Sequence, residues 1–144
     1  MPTATSSPLG VHALVWVGDT APDSVRTAVE KTAKAGFDLL ELSLHDLDNL
    51  DVPGTRALLE QHGIQVACSR GLAFDADVSS EDLEVVARGE KLLHESLEVV
   101  TGLGGTHLTG ALYSALGKYG APLSDAGRAN VVRVLQDLAK EAAA

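Results

Sequence analysis

The sequence has few aromatic residues and few positive charges. Aromatic side chains make up 3% of its 144 residues, so its core must be built from Ala, Val and Leu. Only 11 Lys and Arg stand against 20 Asp and Glu, which gives a formal net charge of −9. A surface this acidic repels phosphate backbones, and we therefore expect no nucleic-acid partner.

Cysteine and long apolar runs are almost missing as well. The single cysteine, Cys68, excludes an internal disulfide framework and fits a reducing compartment. We interpret it as a small buried hydrophobe rather than a nucleophile. No window approaches the roughly 18 apolar residues of a membrane span. The first eight residues lack the basic and apolar regions of a secretory signal. We predict a cytoplasmic protein with no membrane partner and a flexible N-terminal segment at residues 1–9.

Short apolar runs alternate along the chain with amphipathic stretches. Strands are predicted at residues 11–16, 37–44, 64–69 and 106–110. Helices are predicted near residues 22–35, 52–62, 80–101 and 124–144. A helix ends at glycine and the next strand starts almost at once, as in His62-Gly63-Ile64. Repeated βα units imply a parallel sheet with right-handed crossovers, so we predict an α/β fold of four βα units over residues 10–144.

The loops that follow the predicted strands are longer than those that follow the helices. In α/β folds the loops at the carboxyl ends of the strands usually carry the site. Val17-Gly18-Asp19 after the first strand is not a dinucleotide fingerprint, and the sequence contains no P-loop motif. Polar residues at the ends of the strands are therefore the candidates for function.

Several polar residues fall at these strand ends. Glu41 lies late in the second strand, where an unpaired carboxylate is costly. It is either a carboxylate at the mouth of a site or half of a structural ion pair. His45 and Asp46 follow in a loop, where we expect solvated side chains. His107 falls inside the fourth strand, and we interpret it as a core residue. His62 and His94 lie in helices and are interpreted as structural.

The first strand offers two further candidates, His12 and Trp16. If residues 11–16 are extended, then His12, Leu14 and Trp16 share one face. A metal site formed by His12, Glu41 and His45 has no recognised ligand spacing, so none is predicted.

Four stretches of the chain resemble the ketose 3-epimerases, the tagatose and allulose (psicose) epimerases of the xylose isomerase-like superfamily. The resemblance covers the chain from Gly10 onward. The stretches are Gly10–Trp16, Ala35–Glu41, Gly71-Leu72 with Asp77–Asp82, and Gly110–Ser114 followed by Lys118-Tyr119.

This resemblance implies the first half of a (β/α)8 TIM barrel with parallel strands and outer helices. It implies a metal-dependent C3 proton transfer on a free ketose, with Mn, Co or Mg as the cofactor of the full-length family. The family's catalytic residues and metal ligands come from later strands, so neither is expected here and the chain alone should be inactive. The first half supplies the wall that contacts a small-molecule sugar, and the matching residues are His12, Trp16, Ser69, Gly71, Gly110 and Ala111.

Two departures from the family pattern leave the identity of the sugar open. The family often has an aromatic residue where His12 stands, and some members have Trp where Leu116 stands. Half a barrel also implies open sheet edges, which favour self-association or pairing with a missing C-terminal half. Two alternatives stay open. One is a non-enzymatic flavodoxin-like binding module with a self-contained sheet. The other is a different xylose isomerase-like enzyme of sugar-phosphate or inositol metabolism.

Overall fold

A computed structural model describes residues 7–144 of the chain. Most of the predicted flexible segment 1–9 lies outside the described residues. Strands and helices alternate in the order β1 (Gly10–His12), α1 (Pro22–Ala35), β2 (Leu39–Ser43), α2 (Val52–His62), β3 (Gln65–Ser69), α3 (Leu83–Gly102), β4 (Leu108–Thr109) and α4 (Asp125–Ala142). The predicted alternation of four βα units is confirmed.

The strands form one sheet in the order β1-β2-β3-β4. β1 and β2 are parallel, with Gly10 opposite Leu39 and His12 opposite Glu41. The chain divides into two compact units. The first comprises the residues up to Cys68 together with Val100–His107, and the second comprises Ser69–Val99 with Leu108–Ala144.

In the first unit the core lies between β2 and the helix before it. Leu40 and Leu42 are buried on one face of β2, whereas Glu41 between them is only half-buried. Successive side chains of a strand point to opposite faces of the sheet. On α1, Val25, Ala28 and Val29 are buried at helical spacing. The packing therefore leaves Glu41 on the face opposite the leucines.

In the second unit α3 and α4 enclose a separate apolar cluster. Its buried members are Leu72, Val78, Val86, Leu93, Val134 and Leu138. Burying one such side chain contributes about 1.5–3 kcal/mol. Polar contacts join the two helices at the surface. Arg133 donates two hydrogen bonds of 3.0 Å to the carboxylate of Glu90, and the His94 ring contacts the carboxylate of Glu141. This cluster supports the loops that follow β3 and β4.

β1 is shorter than predicted, because the chain turns immediately after His12. Ala13–Val15 form a 3-10 helix, and the His12 Nδ1 atom accepts a hydrogen bond from the Leu14 backbone N–H at 3.0 Å. This local bond competes with the extended conformation. The prediction that His12, Leu14 and Trp16 share one strand face is therefore wrong.

The start of α3 is also displaced from the prediction at residue 80. The Ser80 hydroxyl accepts the Asp82 N–H at 3.1 Å, and the Asp82 carboxylate accepts the Glu84 N–H at 2.9 Å. A side chain that accepts the N–H two residues later caps a helix start. The helix accordingly begins at Leu83.

His107 is exposed, so its interpretation as a core residue is wrong. β4 contains only Leu108 and Thr109, and His107 precedes it. Its Nδ1 atom lies 2.8 Å from the Thr106 hydroxyl, and its carbonyl accepts the Cys68 N–H at 2.9 Å. Only its backbone continues the pairing toward β3. Across residues 7–144, no helix is long and apolar enough to cross a membrane.

Candidate functional site

His12 is the first predicted sugar-wall residue, and its ring is held in a defined orientation. Because Nδ1 accepts the Leu14 N–H, the proton of the neutral ring must lie on Nε2. Nε2 lies 3.7 Å from Glu41 Oε1. The two side chains are 30% and 36% exposed, so water screens the pair and its net stabilisation is at most about 1 kcal/mol. Both groups remain accessible to a ligand.

A hollow of about 220 Å³ opens beside His12 in the first unit. Ser43 at the end of β2 and the loop residues His45 and Asp46 also line it. The prediction that His45 and Asp46 are exposed is confirmed. Hydroxyl, imidazole and carboxylate groups thus contribute to the lining of one small hollow near the ends of two parallel strands.

Trp16, the second predicted wall residue, is half-buried on the first unit. Its indole N–H donates to the Thr32 hydroxyl at 3.1 Å. The polar atom of the indole is therefore satisfied internally. What remains for a ligand is the apolar ring, the part of a Trp side chain that contributes contact area.

Cys68 lies on β3 and is fully buried. Burial, and secondarily the negative charge of Glu41, raises the pKa of its thiol to about 12. A thiol is nucleophilic only as the thiolate, so Cys68 is chemically inert at neutral pH. Its interpretation as a small buried hydrophobe is confirmed.

In the second unit, Ser69 and Gly71 flank a buried arginine. The Arg70 N–H donates to the Thr109 carbonyl at 3.0 Å, which brings the end of β3 beside β4. Burial lowers the pKa of the Arg70 guanidinium, and the charge of Glu95 opposes this effect. Ser69 is half-buried, whereas Gly71 is buried.

Two glycines of the predicted wall lie against neighbouring loops, and the backbone requires glycine at Gly110. Gly110 has φ +108°, and a Cβ there would lie 2.4 Å from the Arg70 carbonyl oxygen. A Cβ on Gly71 would lie 2.3 Å from Leu116 Cδ1. Both glycines therefore stand where neighbouring loops approach closely. Ala111, the next wall residue, is half-buried.

The loops of the second unit contain a polar cluster whose residues could not be grouped together from the sequence. We call it the Asp77–Tyr119 clamp, and it consists of Asp77, Ser79, Ala115 and Tyr119. Asp77 accepts hydrogen bonds from Ser79 and Tyr119. The pair Asp77 and Ser79 has the spacing of an Asx turn, which is the one local signal for it.

The clamp borders a cavity of about 790 Å³. Phe74, Pro122 and Val131 supply part of its apolar lining. The sugar-wall residues Gly71, Gly110 and Ala111 are not part of this lining. This cavity and the predicted sugar wall are therefore different places on the second unit.

The donor set does not fit a protein-bound metal. Among residues 7–144, no group of three or more His, Cys, Asp or Glu side chains is placed to hold a metal ion. His12, Glu41 and His45 do not form such a group. The acidic run around Asp75 and Asp77 does not form one either, since Asp77 is engaged by Ser79 and Tyr119.

Comparison with known proteins gives a consistent result. No family model matches the chain. It is 42% identical to an L-ribulose 3-epimerase of Methylomonas sp. (strain DH-1), over 93% of this chain and 47% of the relative. It is 43% identical to a ketose 3-epimerase of Arthrobacter globiformis, over 85% of this chain and 42% of the relative. A crystal structure of a D-allulose 3-epimerase from Methylomonas sp. in complex with D-allulose matches with a TM-score of 0.90 and 41% identity, covering 94% and 47% of the two chains.

Fold and comparisons together define the class: four parallel βα units that match half of a TIM-barrel epimerase. More particularly, the chain is similar to about half of a ketose 3-epimerase. It spans about half the length of the curated relatives it matches. The flavodoxin-like alternative is not favoured by these relatives.

Proposed function

We propose that the chain forms the sugar-contacting wall of a ketose 3-epimerase, a protein that inverts C3 of a free ketose. The observation that carries this proposal is 42% identity to an L-ribulose 3-epimerase over 93% of the chain. The similar D-allulose 3-epimerase was crystallised with D-allulose, so a free ketose is the ligand class that we propose here.

In the first unit, we propose distinct roles for three side chains, and their hydrogen bonds and distances support these roles. His12 would donate its Nε2 proton to a sugar hydroxyl, since Nδ1 is already an acceptor for Leu14. The Glu41 carboxylate, 3.7 Å from Nε2, would accept from a neighbouring hydroxyl. Trp16 would contribute its ring alone, because its N–H is bonded to Thr32.

In the second unit, small residues would leave room for the far end of the sugar. Gly71, Gly110 and Ala111 carry little or no side chain, and Ser69 adds one hydroxyl. Small residues let the ligand approach the backbone, whose polar groups then contribute to recognition. We therefore propose that these residues of the second unit determine the shape of the wall that they line.

The chemical step requires more than contact with the sugar. Removing a proton next to a carbonyl requires a positioned base and stabilisation of the enediolate. The family resemblance assigns the second task to Mn, Co or Mg, but residues 7–144 gather no metal-binding group. We propose that the 144-residue chain binds a ketose without epimerising it.

The test uses the purified 144-residue chain and D-allulose. Incubation with D-allulose, with and without Mn²⁺, should yield no D-fructose above the protein-free control. Titration of the ¹⁵N-labelled chain with millimolar D-allulose should shift amide signals near His12 and Gly110. Mn²⁺-dependent conversion would overturn the proposed inactivity, whereas a spectrum unaffected by D-allulose would overturn the proposed sugar wall.

We further propose that the sheet edges are covered by another polypeptide. β1 and β4 are the end strands of the order β1-β2-β3-β4, and unpaired edges favour pairing. The cover would be a second copy or a C-terminal half of the same type of barrel. Size-exclusion chromatography with light scattering should show a species larger than 14.9 kDa. A clean monomer across a wide concentration range would contradict self-association.

A further inference from the structure

The loop after β3 contains a carboxylate that is almost completely removed from water. Asp77 is 3% exposed, a placement that is costly unless the charge is hydrogen-bonded. Its Oδ1 atom accepts the Ser79 N–H at 2.8 Å and the Ser79 hydroxyl at 2.7 Å. Its Oδ2 atom accepts the phenolic hydroxyl of Tyr119. Donors from two separate loops thus converge on one carboxylate.

Tyr119 extends this connection to the loop after β4. Its hydroxyl oxygen accepts the Ala115 N–H at 2.8 Å while its proton is donated to Asp77. The ring of Tyr119 packs edge-to-face against Phe74, with centroids 5.1 Å apart. Although the residue is 43% exposed, its hydroxyl end is fully engaged. The phenol therefore bridges Asp77 and the backbone of Ala115.

The bridged segment lies directly on the predicted sugar wall. Leu72 and Ala115 form an isolated parallel bridge, and the Leu116 N–H donates to the Leu72 carbonyl at 2.8 Å. Leu116 in turn lies over Gly71, at the spot where a Cβ on that glycine would meet it. The clamp thus holds in place the residues next to Gly71, which are Leu72 in the loop after β3 and Leu116 in the loop after β4.

We propose that Asp77 and Tyr119 are positioning residues for the sugar wall, because their hydrogen bond fixes the segment from Gly110 to Leu116 against Gly71. This inference rests on the proposed function, since it concerns the same sugar-contacting wall. A contact that only adds stability would alter unfolding. A positioning contact alters the sugar response of a chain that remains folded.

The test compares Tyr119→Phe with a matched control, Tyr113→Phe. Each variant removes one hydroxyl from a tyrosine of the same loop, but only Tyr119 belongs to the clamp. In Tyr119→Phe, hydrogen exchange of the Ala115 amide should accelerate about tenfold or more, because its acceptor is lost. In Tyr113→Phe, the exchange rate should match the parent chain. Equal rates in Tyr119→Phe and Tyr113→Phe would overturn the proposal.

The sugar readout separates this proposal from the proposed function. D-allulose should shift the Gly110 and Ala111 amide signals in the parent chain and in Tyr113→Phe. The apparent Kd should rise at least threefold in Tyr119→Phe, with circular dichroism unchanged. If the parent chain shows no shift, the sugar wall itself is wrong and this proposal falls with it. If all three chains respond equally, only the positioning role is wrong.

A second variant, Asp77→Asn, can be tested by the ultraviolet absorbance of Tyr119. The sequence has two tyrosines, so Tyr119 is the only one left in Tyr113→Phe and can be titrated by ultraviolet absorbance. Burial and the hydrogen bond to Asp77 raise the pKa of the Tyr119 hydroxyl. Adding Asp77→Asn, which keeps an acceptor for Ser79, should lower that pKa and weaken the D-allulose response. An unchanged pKa would show that Asp77 does not hold Tyr119, and would overturn the proposal.

Discussion

The indole N–H of Trp16 is 3.1 Å from the hydroxyl oxygen of Thr32, a fully buried residue of α1. Trp16 is the only tryptophan of the chain. Its orientation is therefore determined by a helix that lies outside the predicted sugar wall. A change in Thr32 should be visible in the fluorescence of a single residue.

Replacing Thr32 by Val should loosen Trp16 without creating a cavity. Val keeps the branched shape but removes the acceptor, so we expect about 1 kcal/mol less stability and a change in Trp16 emission. Thr32→Ser retains the hydroxyl and is the matched control for the hydrogen bond. Urea unfolding followed by fluorescence measures both effects. Identical spectra for Thr32→Val and the parent chain would exclude the bond in solution.

The roles of the two ring nitrogens of His12 can be tested separately by two substitutions. Asn places an acceptor near the position of Nδ1, so His12→Asn should keep the cap on the Leu14 N–H. Gln reaches toward Nε2 instead, and His12→Gln should lose about 1 kcal/mol of stability with the cap. For D-allulose binding we expect the reverse order, with His12→Asn the weaker binder. Thermal unfolding and amide-shift titration measure the two properties, and parallel losses in both would refute the division of roles.

Cys68 should be unreactive in the folded chain and should make stability fall at high pH. Burial raises its thiol pKa to about 12 from an ordinary value of 9.0. Because the folded state favours the neutral thiol, the contribution to stability is complete below pH 9 and is lost as the pH rises toward 12. Ellman's reagent at pH 8 should label Cys68 only in denaturant. The Cys68→Ala variant should lack this loss of stability, and rapid labelling of the native chain would contradict the prediction.

Gly110→Ala should be strongly destabilising. The substitution combines φ +108° with a Cβ placed 2.4 Å from the Arg70 carbonyl oxygen, and we expect a cost of about 1–3 kcal/mol or more. Gly120→Ala is the matched control, because a Cβ there meets nothing within 4 Å. Urea midpoints that coincide for the two variants would show that the loop after β4 adapts freely.

The alternation of elements could be predicted because each strand and helix carries its own signal. β2 has buried leucines at period two and α1 has buried residues at helical spacing, and both patterns depend only on near neighbours. The end of β1 was mispredicted because the apolar run continues past His12. The His12 ring accepts the Leu14 N–H, and the Trp16 and Val17 N–H groups donate to the Ala13 carbonyl, so the chain turns there.

The candidate site was only partly accessible to sequence reasoning. His12 and Glu41 could be assigned to the first two strands from their apolar patterns, and the parallel register places them opposite each other. Asp77 and Tyr119, by contrast, are 42 positions apart. No local pattern links an acidic residue to a tyrosine at that separation, and their contact exists only once the loops after β3 and β4 are in place.

The first unit is assembled from two separate stretches of the chain, ending at Cys68 and resuming at Val100–His107. Val100 and Leu103 of the second stretch are buried, and Gly105 lies against the Val66 backbone. During synthesis, the first 68 residues therefore leave the ribosome before the stretch that completes their core exists. A nascent chain must hold an unfinished apolar surface during that interval, which is the period when chaperones engage such segments. A protein cut at residue 68 would retain that surface permanently.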